Sequence, residues 1–504
     1  MARGDGSALS VPPHPASAAA DTSHWTRALG LAATCLALAR RVVPERLRPL
    51  YDRKTGRAVS VANDIAFADT EAAGAQRMAL FAFAVRVLSA AIAYGGQVFL
   101  ARLLGGYEYG IFVLVWVSVV ILGGLACLGF PSAVVRFVPD YLWRGDRDGV
   151  RGVVWGARVA SFAAATGFAA LGLALLWLLG DRVSSIYVWP FVLGLVCLPM
   201  IAVGDTQDGT ARAFSFKGLA LVPTFLLRPV LVLVFVGIAV LLGWPATART
   251  ALFASVVATW TASLVQMLGL ERAVRAVVGS GARAFRPRLW LLVALPIFLV
   301  EGFFQLLTNV DILMVGRFMA PMEVAVYFAA VKTLALVHFV YFAVKAGAAQ
   351  RYAHYHAQGD RAATALFVSQ TVKWTFWPSL AMSALVLALS PLLLALFGEG
   401  FERGVPLLFV LVVGIVARAA VGPAEALLTM SGQQNSCAVL YGVTLVINVA
   451  LNLALLPSFG LVGAAAATTC ALVFEAFALY ALVLRRLGLH MFVVHAHRGA
   501  EAAA

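Results

Sequence analysis

The sequence contains little charge. Only 12% of its 504 residues are Asp, Glu, Lys or Arg, whereas 62% are hydrophobic, and soluble domains average about 25% charged residues. This balance excludes a soluble globular protein. The apolar residues form runs of roughly 20, the length that crosses a bilayer as a helix. Backbone groups in lipid must be hydrogen-bonded within their own segment, so the sequence predicts an all-α polytopic membrane protein.

Cysteine is also scarce, and its positions exclude zinc and redox motifs. None of Cys35, Cys127, Cys197, Cys437 and Cys470 belongs to a CxxC pair, and four of them lie inside apolar runs. We interpret them as small core residues and expect neither a metal site nor a cofactor. Paired carboxylates are missing from the short loops of the predicted outer side. A multi-pass enzyme, such as a polymerase or a glycosyltransferase, is therefore disfavoured.

Acidic residues are outnumbered, with 24 Asp and Glu against 38 Lys and Arg and a net charge of +14. The basic residues lie in loops between apolar runs, which indicates contact with lipid headgroups and not with nucleic acid. Most loop Lys and Arg fall on one side of the predicted membrane. The positive-inside rule therefore predicts that both termini lie in the cytoplasm.

Twelve apolar segments are long enough to span a membrane. Pro378 and Pro391 interrupt the ninth, which makes it the weakest of the set. The predicted spans lie near 78–101, 109–130, 153–179, 186–204, 219–242, 250–270, 290–314, 323–345, 372–397, 404–428, 437–456 and 461–484.

The spans divide the chain into five parts. We predict a cytoplasmic, partly disordered N-terminal extension over 1–77, an N-lobe over 78–270, a basic cytoplasmic linker over 271–289, a C-lobe over 290–484 and a cytoplasmic tail over 485–504. The apolar run of the extension is too short to cross a bilayer. It predicts either a helix on the cytoplasmic leaflet or a solvated tail, and both readings stay open.

Two stretches of the sequence nearly repeat each other. ARLLGGYEYGIF begins at Ala101 and GRFMAPMEVAVY at Gly316, 215 positions later, with Arg, Glu and an aromatic residue at matching places. AVGDTQ at 202 and AVGPAE at 420 are 218 positions apart, as are WLLGDR at 177 and ALFGEG at 395. Six spans per half give both halves the same orientation. The repeat predicts two pseudo-symmetric six-helix lobes around a cleft with alternating access.

Five stretches resemble, in order, motifs of polysaccharide exporters, the Wzx-type flippases of the multidrug/oligosaccharidyl-lipid/polysaccharide (MOP) superfamily. They are ARLLGGYEYGIF, GFPSAVVRFVPDYLWRGD, NVDILMVGRF, LFGEGF and NVALNLALLPSFGLVGAAAAT, and the resemblance covers about 78–484. It implies a MATE-like fold and a multi-pass protein of the bacterial inner (plasma) membrane. It also implies movement of an undecaprenyl-pyrophosphate-linked oligosaccharide to the outer leaflet, for lipopolysaccharide O-antigen or exopolysaccharide biosynthesis. The implied partners are this substrate, membrane lipids and the polysaccharide polymerase machinery.

Ionisable residues deep inside spans are the candidate functional residues, because each costs about 2.5–3.5 kcal/mol at a helix centre and needs a cavity or a partner. Guanidinium groups bind phosphate oxygens in a bidentate manner. The acids of the N-lobe fall at loops or span ends, so we expect its cavity to be cationic. The predicted pyrophosphate ligands are Arg86, Arg228, Lys332 and Arg418, and the predicted ion-coupling residues are Glu301 and Glu475.

Several of these residues have a structural alternative. Lys332 with Glu301, and Arg418 with Glu475, lie at similar depths and can simply form ion pairs. Asp311 lies nearer the outer end of its span, where solvent can reach it. The alternative function is a MATE-like multidrug exporter driven by H⁺ or Na⁺. That function requires a membrane-embedded carboxylate, for which Glu301 and Glu475 are the candidates.

Overall fold

The computed structural model describes the backbone of residues 71–358 and 360–494. From Leu88 onward it describes their side chains, except at 181, 346, 350, 353, 356 and 357. Most of the predicted extension and the end of the predicted tail therefore lie outside the described residues. Contacts divide the chain into two compact units, Met1–Arg86 and Val87–Ala504. The lobes, the cores and the candidate site all lie within the second unit.

The described residues are almost entirely helical and contain no strand. A π-helical turn, Pro223–Leu227, and 3₁₀ turns at Gly180–Arg182 and Phe401–Gly404 join or extend the helices. The helices are α1 (Glu71–Ala126), α2 (Phe130–Trp143), α3 (Arg147–Leu179), α4 (Ser185–Ala213), α5 (Lys217–Val222), α6 (Arg228–Leu241), α7 (Ala248–Val278), α8 (Pro287–Leu307), α9 (Val310–Phe318), α10 (Pro321–Gln358), α11 (Arg361–Ala395), α12 (Val405–Ala419), α13 (Ala424–Met430) and α14 (Gln434–Leu487).

Helices α1 and α14 each contain a chain reversal at a glycine. Gly105 has φ 76° and ψ 156°, and Gly460 has φ 58° and ψ −142°. Tyr109 Oη donates a hydrogen bond to Gln97 Oε1 at 2.8 Å, although twelve residues of straight helix would separate them by about 18 Å. A positive φ is accessible to glycine without steric cost. Each of these helices therefore forms two antiparallel passes.

The predicted fold class is confirmed. Ten helical segments among the described residues are long and apolar enough to cross a membrane, and the two reversals raise the number of passes to twelve. Helix α11 continues past both Pro378 and Pro391 without a break. Helices α2 to α7 pack against one another and form the N-lobe together with the two passes of α1, which contact α6 and α4. Helices α8 to α14 pack as the C-lobe.

The repeated boxes occupy matching places in the two lobes, with one informative exception. The boxes at 101 and 316 each contain the reversal between the first two passes of a lobe. AVGDTQ lies inside continuous helix α4, whereas the matching AVGPAE lies at the break between α12 and α13. Pro423 stands where α4 has Asp205, and a proline inside a helix removes a backbone hydrogen bond. The C-lobe therefore breaks where the N-lobe stays helical.

The segment predicted as the linker between the lobes is partly helical. Helix α7 continues to Val278 and α8 begins at Pro287, so only 279–286 of the predicted linker 271–289 is non-helical. We call 279–286 the linker. We call the end of the helix bundle that carries the linker the linker end. The chain reversals at 144–146, 214–216 and 431–433 lie at the same end. The other end of the bundle is called the opposite end.

Candidate functional site between the lobes

The two lobes are joined at the opposite end and have separate cores at the linker end. One apolar core contains residues of both lobes, and its Tyr109 and Phe401 rings lie 6.3 Å apart. Arg102 closes the same region by donating hydrogen bonds to the carbonyls of Leu396 and Ala395 at 2.6 and 2.7 Å. The other two cores are formed by the C-lobe alone and by the N-lobe with the start of α8. The candidate site is therefore the space between the lobes at the linker end.

Glu301 on α8 bridges the lobes at this site. Its side chain is exposed, and its Oε1 accepts a hydrogen bond from Ser132 Oγ on α2 at 2.5 Å. The approach of the two helices depends on Gly129, which has φ +75°, since a Cβ there would lie 2.3 Å from the Ala294 carbonyl oxygen. Glu301 makes no ion pair with Lys332 in the described part of the chain, so that structural alternative was wrong.

Two acids of the N-lobe lie deeper than the sequence predicted. Asp205 and Asp208 were assigned to a loop, but α4 extends to Ala213 and carries both inside the bundle. Asp208 is only 9% exposed, and its Oδ1 accepts hydrogen bonds from Gln266 Nε2 at 2.6 Å and Thr224 Oγ1 at 3.1 Å. The expectation of a purely cationic N-lobe cavity is therefore wrong.

Arg228 lies among these acids. It interacts electrostatically with both Asp205 and Asp208, yet it forms no hydrogen bond or ion pair with any described residue. It follows the π-helical turn Pro223–Leu227, a distortion often found at functional sites. Its side chain lines a cavity of about 120 Å³ that Gln97 and Ser255 also line. Its hydrogen-bond donors are therefore available to a ligand.

A second cation, Arg212, was not predicted and connects this group to the other lobe. Its side chain is exposed near the end of α4, and its charge interacts with both Asp205 and Glu301. Its Nε donates to the backbone carbonyl of Asp208 at 3.3 Å. The site thus combines cations and acids of the N-lobe with one acid of the C-lobe, Glu301. The spacing of Asp205 and Asp208, three residues apart on one helix face, was the available sequence signal for the acids, whereas nothing marked Ser132.

Lys332 lies in the C-lobe, near a different acid. Its Nζ is 4.9 Å from the centre of the Phe328 ring, and its charge interacts with Asp311. Asp311 is 4% exposed and accepts a hydrogen bond from Tyr327 Oη at 2.9 Å, so the expectation that solvent reaches it is wrong. Lys332 therefore belongs to a buried polar group within the C-lobe.

Arg418 and Glu475 form the ion pair that the sequence offered as an alternative. Arg418 Nε lies 2.7 Å from Glu475 Oε1, and the two residues are only 8% and 4% exposed. Arg418 also donates to Tyr341 Oη at 3.0 Å and to the Gly422 carbonyl, freed by the break before Pro423, at 3.3 Å. Its donors are thus engaged inside the C-lobe.

The structure brings together only some of the predicted pyrophosphate ligands and ion-coupling residues. Arg86 lies outside the residues whose side chains are described, and Arg418 has its partners within the C-lobe. Arg228 and Glu301 both interact with Asp205, which makes that acid the link between them. Binding of pyrophosphate by these residues stays a prediction.

Comparison with known protein families shows which family the chain belongs to. The model described as polysaccharide biosynthesis protein matches residues 77–349, more than half of the sequence. The chain belongs to this polysaccharide biosynthesis protein family. The MatE family model matches residues 296–454, in the C-lobe. The predicted membership among the polysaccharide exporters of the MOP superfamily is confirmed, and this family member is a membrane transporter.

Solved structures share the fold of this polysaccharide biosynthesis family member. A multidrug resistance MATE family transporter of the MOP superfamily, in its inward-facing conformation, is 16% identical with a TM-score of 0.66, over 79% of this chain and 94% of that one. The outward-facing conformation of a multidrug resistance MATE family transporter of the MOP superfamily is 17% identical with a TM-score of 0.61, over 80% of this chain and 93% of that one. A MOP superfamily transporter from Pyrococcus furiosus, described as having a binding pocket of reversed polarity, gives 16% and 0.59 over 80% and 92%. No curated protein matches the sequence.

Proposed function

We propose that the protein moves an undecaprenyl-pyrophosphate-linked oligosaccharide across a bacterial inner membrane by alternating access, with both termini in the cytoplasm. The observation that carries the proposal is the family match over 77–349, which covers the entire N-lobe and the Arg228 cavity. The separate cores at the linker end support loading of the headgroup from that side. The substrate would serve surface polysaccharide synthesis, with the polymerase machinery acting after it.

Arg228 is the proposed pyrophosphate ligand of the N-lobe. A guanidinium with unused donors in a low-dielectric cavity gains strongly from a phosphate oxygen, because charge-assisted hydrogen bonds are about twice as strong as neutral ones. Asp205 is the nearby counter-charge. It would compete with the substrate for Arg228 and so favour release after the lobes rock. Arg212 and Lys332 are the proposed assisting cations, while Arg418 is assigned to the stability of the C-lobe.

The lipid tail and the headgroup need different environments during transport. The pyrophosphate and sugars would enter between the lobes, while the polyprenyl chain stays in the bilayer beside them. Glu301 and Ser132 join α8 to α2 at this mouth, so the lobes must separate there or slide for a bulky headgroup to pass. The decisive test is transport of a fluorescent undecaprenyl-pyrophosphate-linked sugar in proteoliposomes. Accumulation of the same lipid on the inner leaflet after gene deletion would support it.

Removing the Arg228 charge is expected to reduce transport. Arg228→Ala should lower the initial rate of lipid-linked oligosaccharide transport at least about tenfold, since it removes hydrogen bonds to a charged group worth about 1.5–3 kcal/mol. Arg86→Ala is expected to act in the same direction. The matched control is Arg249→Ala, an exposed arginine of the same lobe, which should transport normally. Normal transport by correctly folded Arg228→Ala protein would remove Arg228 from the binding site.

A MATE-like exporter driven by H⁺ or Na⁺ is the second candidate function. The MatE match over 296–454 and the acids Asp205, Asp208 and Glu301 near the inter-lobe space support it. One transport assay with two substrates distinguishes the two candidate functions. A transporter that moves cationic dyes and leaves the lipid-linked oligosaccharide in place would favour the second.

We assign ion coupling to Glu301, whether the protein is a flippase or a MATE-like exporter. An isosteric substitution of this residue tests the assignment. Glu301→Gln keeps an acceptor for Ser132 but removes the charge, so gradient-driven transport should be lost while downhill exchange continues. Ser132→Ala, which keeps the charge and removes the hydrogen bond, should retain both activities. The readout is substrate uptake with and without an imposed ion gradient. Uptake that ignores Glu301→Gln would assign this residue to structure.

A further inference from the structure

A second polar cavity lies at the linker end, inside the N-lobe. It has a volume of about 300 Å³ and lies between α3, α7 and the linker. We call it the linker pocket. None of its lining residues belongs to the Arg228 cavity. The residues that give it its character are Arg151, Trp155, Arg158, Glu271, Arg275 and Arg283.

The linker is fixed as one wall of this pocket by contacts with α3. A Cβ on Gly152 would lie only 1.9 Å from the Ala284 carbonyl oxygen, so glycine is what permits the two backbones to touch. The Ala284 amide donates to the Asp148 carbonyl at 3.0 Å. Arg151 donates to the carbonyls of Ala282 and Val278 at 2.8 and 3.1 Å. The wall is therefore built from main chain that three hydrogen bonds hold in place.

Two of the four arginines in the pocket are paired, and two are not. Arg151 pairs with Asp148, and Arg275 pairs with Glu271 at 2.5 Å. Arg158 and Arg283 have no hydrogen bond or ion pair with any described residue. Arg158 interacts electrostatically with Glu271, the carboxylate already paired with Arg275, and is opposed by the charge of Arg283. Arg283 itself lies over the Trp155 ring, at 5.1 Å. An anion between these two groups would relieve their repulsion.

We propose that the linker pocket binds a phosphate group through Arg158 and Arg283. Guanidinium groups match phosphate oxygens in charge and geometry. Val154, Val274 and Trp155 provide an apolar side for the remainder of the ligand. The ligand is therefore a phosphate ester or free phosphate at the membrane surface that the charge bias predicts to be cytoplasmic. The inference does not rest on the proposed transport substrate.

Occupation of the pocket has a mechanical consequence. The linker joins α7 of the N-lobe to α8 of the C-lobe, and α8 carries Glu301. A phosphate held by Arg158 on α3 and by Arg283 on the linker fastens the linker to the N-lobe. Binding would therefore restrict the freedom of α8 and bias the relative position of the lobes.

The test compares two phosphate sources on the full-length protein. Inorganic phosphate is titrated into detergent-purified protein by calorimetry at low salt, and phosphatidylglycerol against phosphatidylcholine is measured by native mass spectrometry of protein released from nanodiscs. Arg158→Gln and Arg283→Gln should each weaken the favoured ligand about tenfold. Arg272→Gln is the matched control, because Arg272 lies on α7 and is exposed outside the pocket.

Each outcome decides the proposal. If the protein retains phosphatidylglycerol and both variants reduce that retention, the ligand is a lipid headgroup. If inorganic phosphate binds in calorimetry and both variants weaken that binding, the ligand is soluble. If neither probe binds, or if Arg272→Gln weakens binding as much as the pocket variants, the site does not exist. Should Arg158→Gln fail to fold, Arg283→Gln decides alone, because its side chain is exposed on the linker.

Discussion

Replacing Gly110 by Ala is expected to separate the lobes at the opposite end. A Cβ on Gly110, in the second pass of the N-lobe, would lie 1.8 Å from the carbonyl oxygen of Pro321 and 2.5 Å from its carbonyl carbon, at the start of α10 in the C-lobe. Carbon and oxygen normally stay about 3.3 Å apart or more. Both neighbours are main chain, so no side-chain rotation relieves the clash. The conformation with a closed opposite end must lose stability.

The size of this effect is large enough to measure. Overpacking costs about 1–3 kcal/mol or more, which shifts a two-state equilibrium roughly 5–150-fold. Spin labels at the exposed positions Leu178 and Glu399, one on each lobe at the opposite end, should report a longer distance by pulsed electron resonance. Under the proposed alternating-access mechanism, transport should fall in parallel, because the cycle would lose one of its two states.

The control for Gly110 is another glycine of the same helix. Gly95→Ala places a methyl group where no atom lies within 4 Å, so the same loss of backbone freedom occurs without a clash. Its label distance and transport rate should match the unmodified protein. An unchanged distance in Gly110→Ala would contradict the idea that close backbone contact seals this end.

Replacing Arg418 by Ala is expected to destabilise the C-lobe strongly. The change leaves Glu475 buried without its partner at 2.7 Å and removes the hydrogen bond that Arg418 donates to the Gly422 carbonyl. Removing one partner of a buried ion pair costs about 3–5 kcal/mol. The measurement is the thermal unfolding midpoint of purified protein in detergent, with tryptophan fluorescence as the probe. A clear drop in the midpoint is the expected result.

Two comparisons isolate burial as the cause. Arg403→Ala removes an arginine of the same lobe that pairs with Glu323 at 3.2 Å but is 58% exposed, so it should cost less than about 1 kcal/mol. The double change Arg418→Met with Glu475→Gln should recover much of the lost stability, because no unpaired charge remains. If Arg418→Ala and Arg403→Ala unfold alike, Arg418 is free for a role in the cavity.

Composition was sufficient to predict an all-α membrane protein, and the internal repeat predicted its two lobes, but neither showed where the helices end. Lipid forces helices wherever about 20 apolar residues occur in a row, and this applied even to α11 with Pro378 and Pro391. The error at Asp205 arose because a span was ended at its first charges. A helix can extend beyond its apolar part, and inside a bundle polar residues of that extension are paired rather than solvated. Pro423 marks the matching point of the C-lobe, where the helix does break.

The candidate site shows a second kind of limit. Position along a span gives the depth of a residue, but its direction around the helix depends on which neighbour packs against it. Depth alone made Glu301 a partner for Lys332, yet Glu301 reaches Ser132 across the lobes. The same reasoning succeeded for Arg418 and Glu475, because α12 and α14 are packed against each other.

The aromatic contact at the opposite end has a consequence for the substrate-free protein. Tyr109 of the N-lobe contacts Phe328 and Phe401 of the C-lobe, and Phe397 packs on Phe401 within the C-lobe. All four side chains are at most 3% exposed. Exposing an aromatic side chain to water costs about 1.5–3 kcal/mol, so in the proposed alternating-access cycle we expect the empty protein to rest with this aromatic contact closed. Binding of substrate or an ion gradient would then have to supply the free energy that opens it, and the closed contact would limit leakage in the meantime.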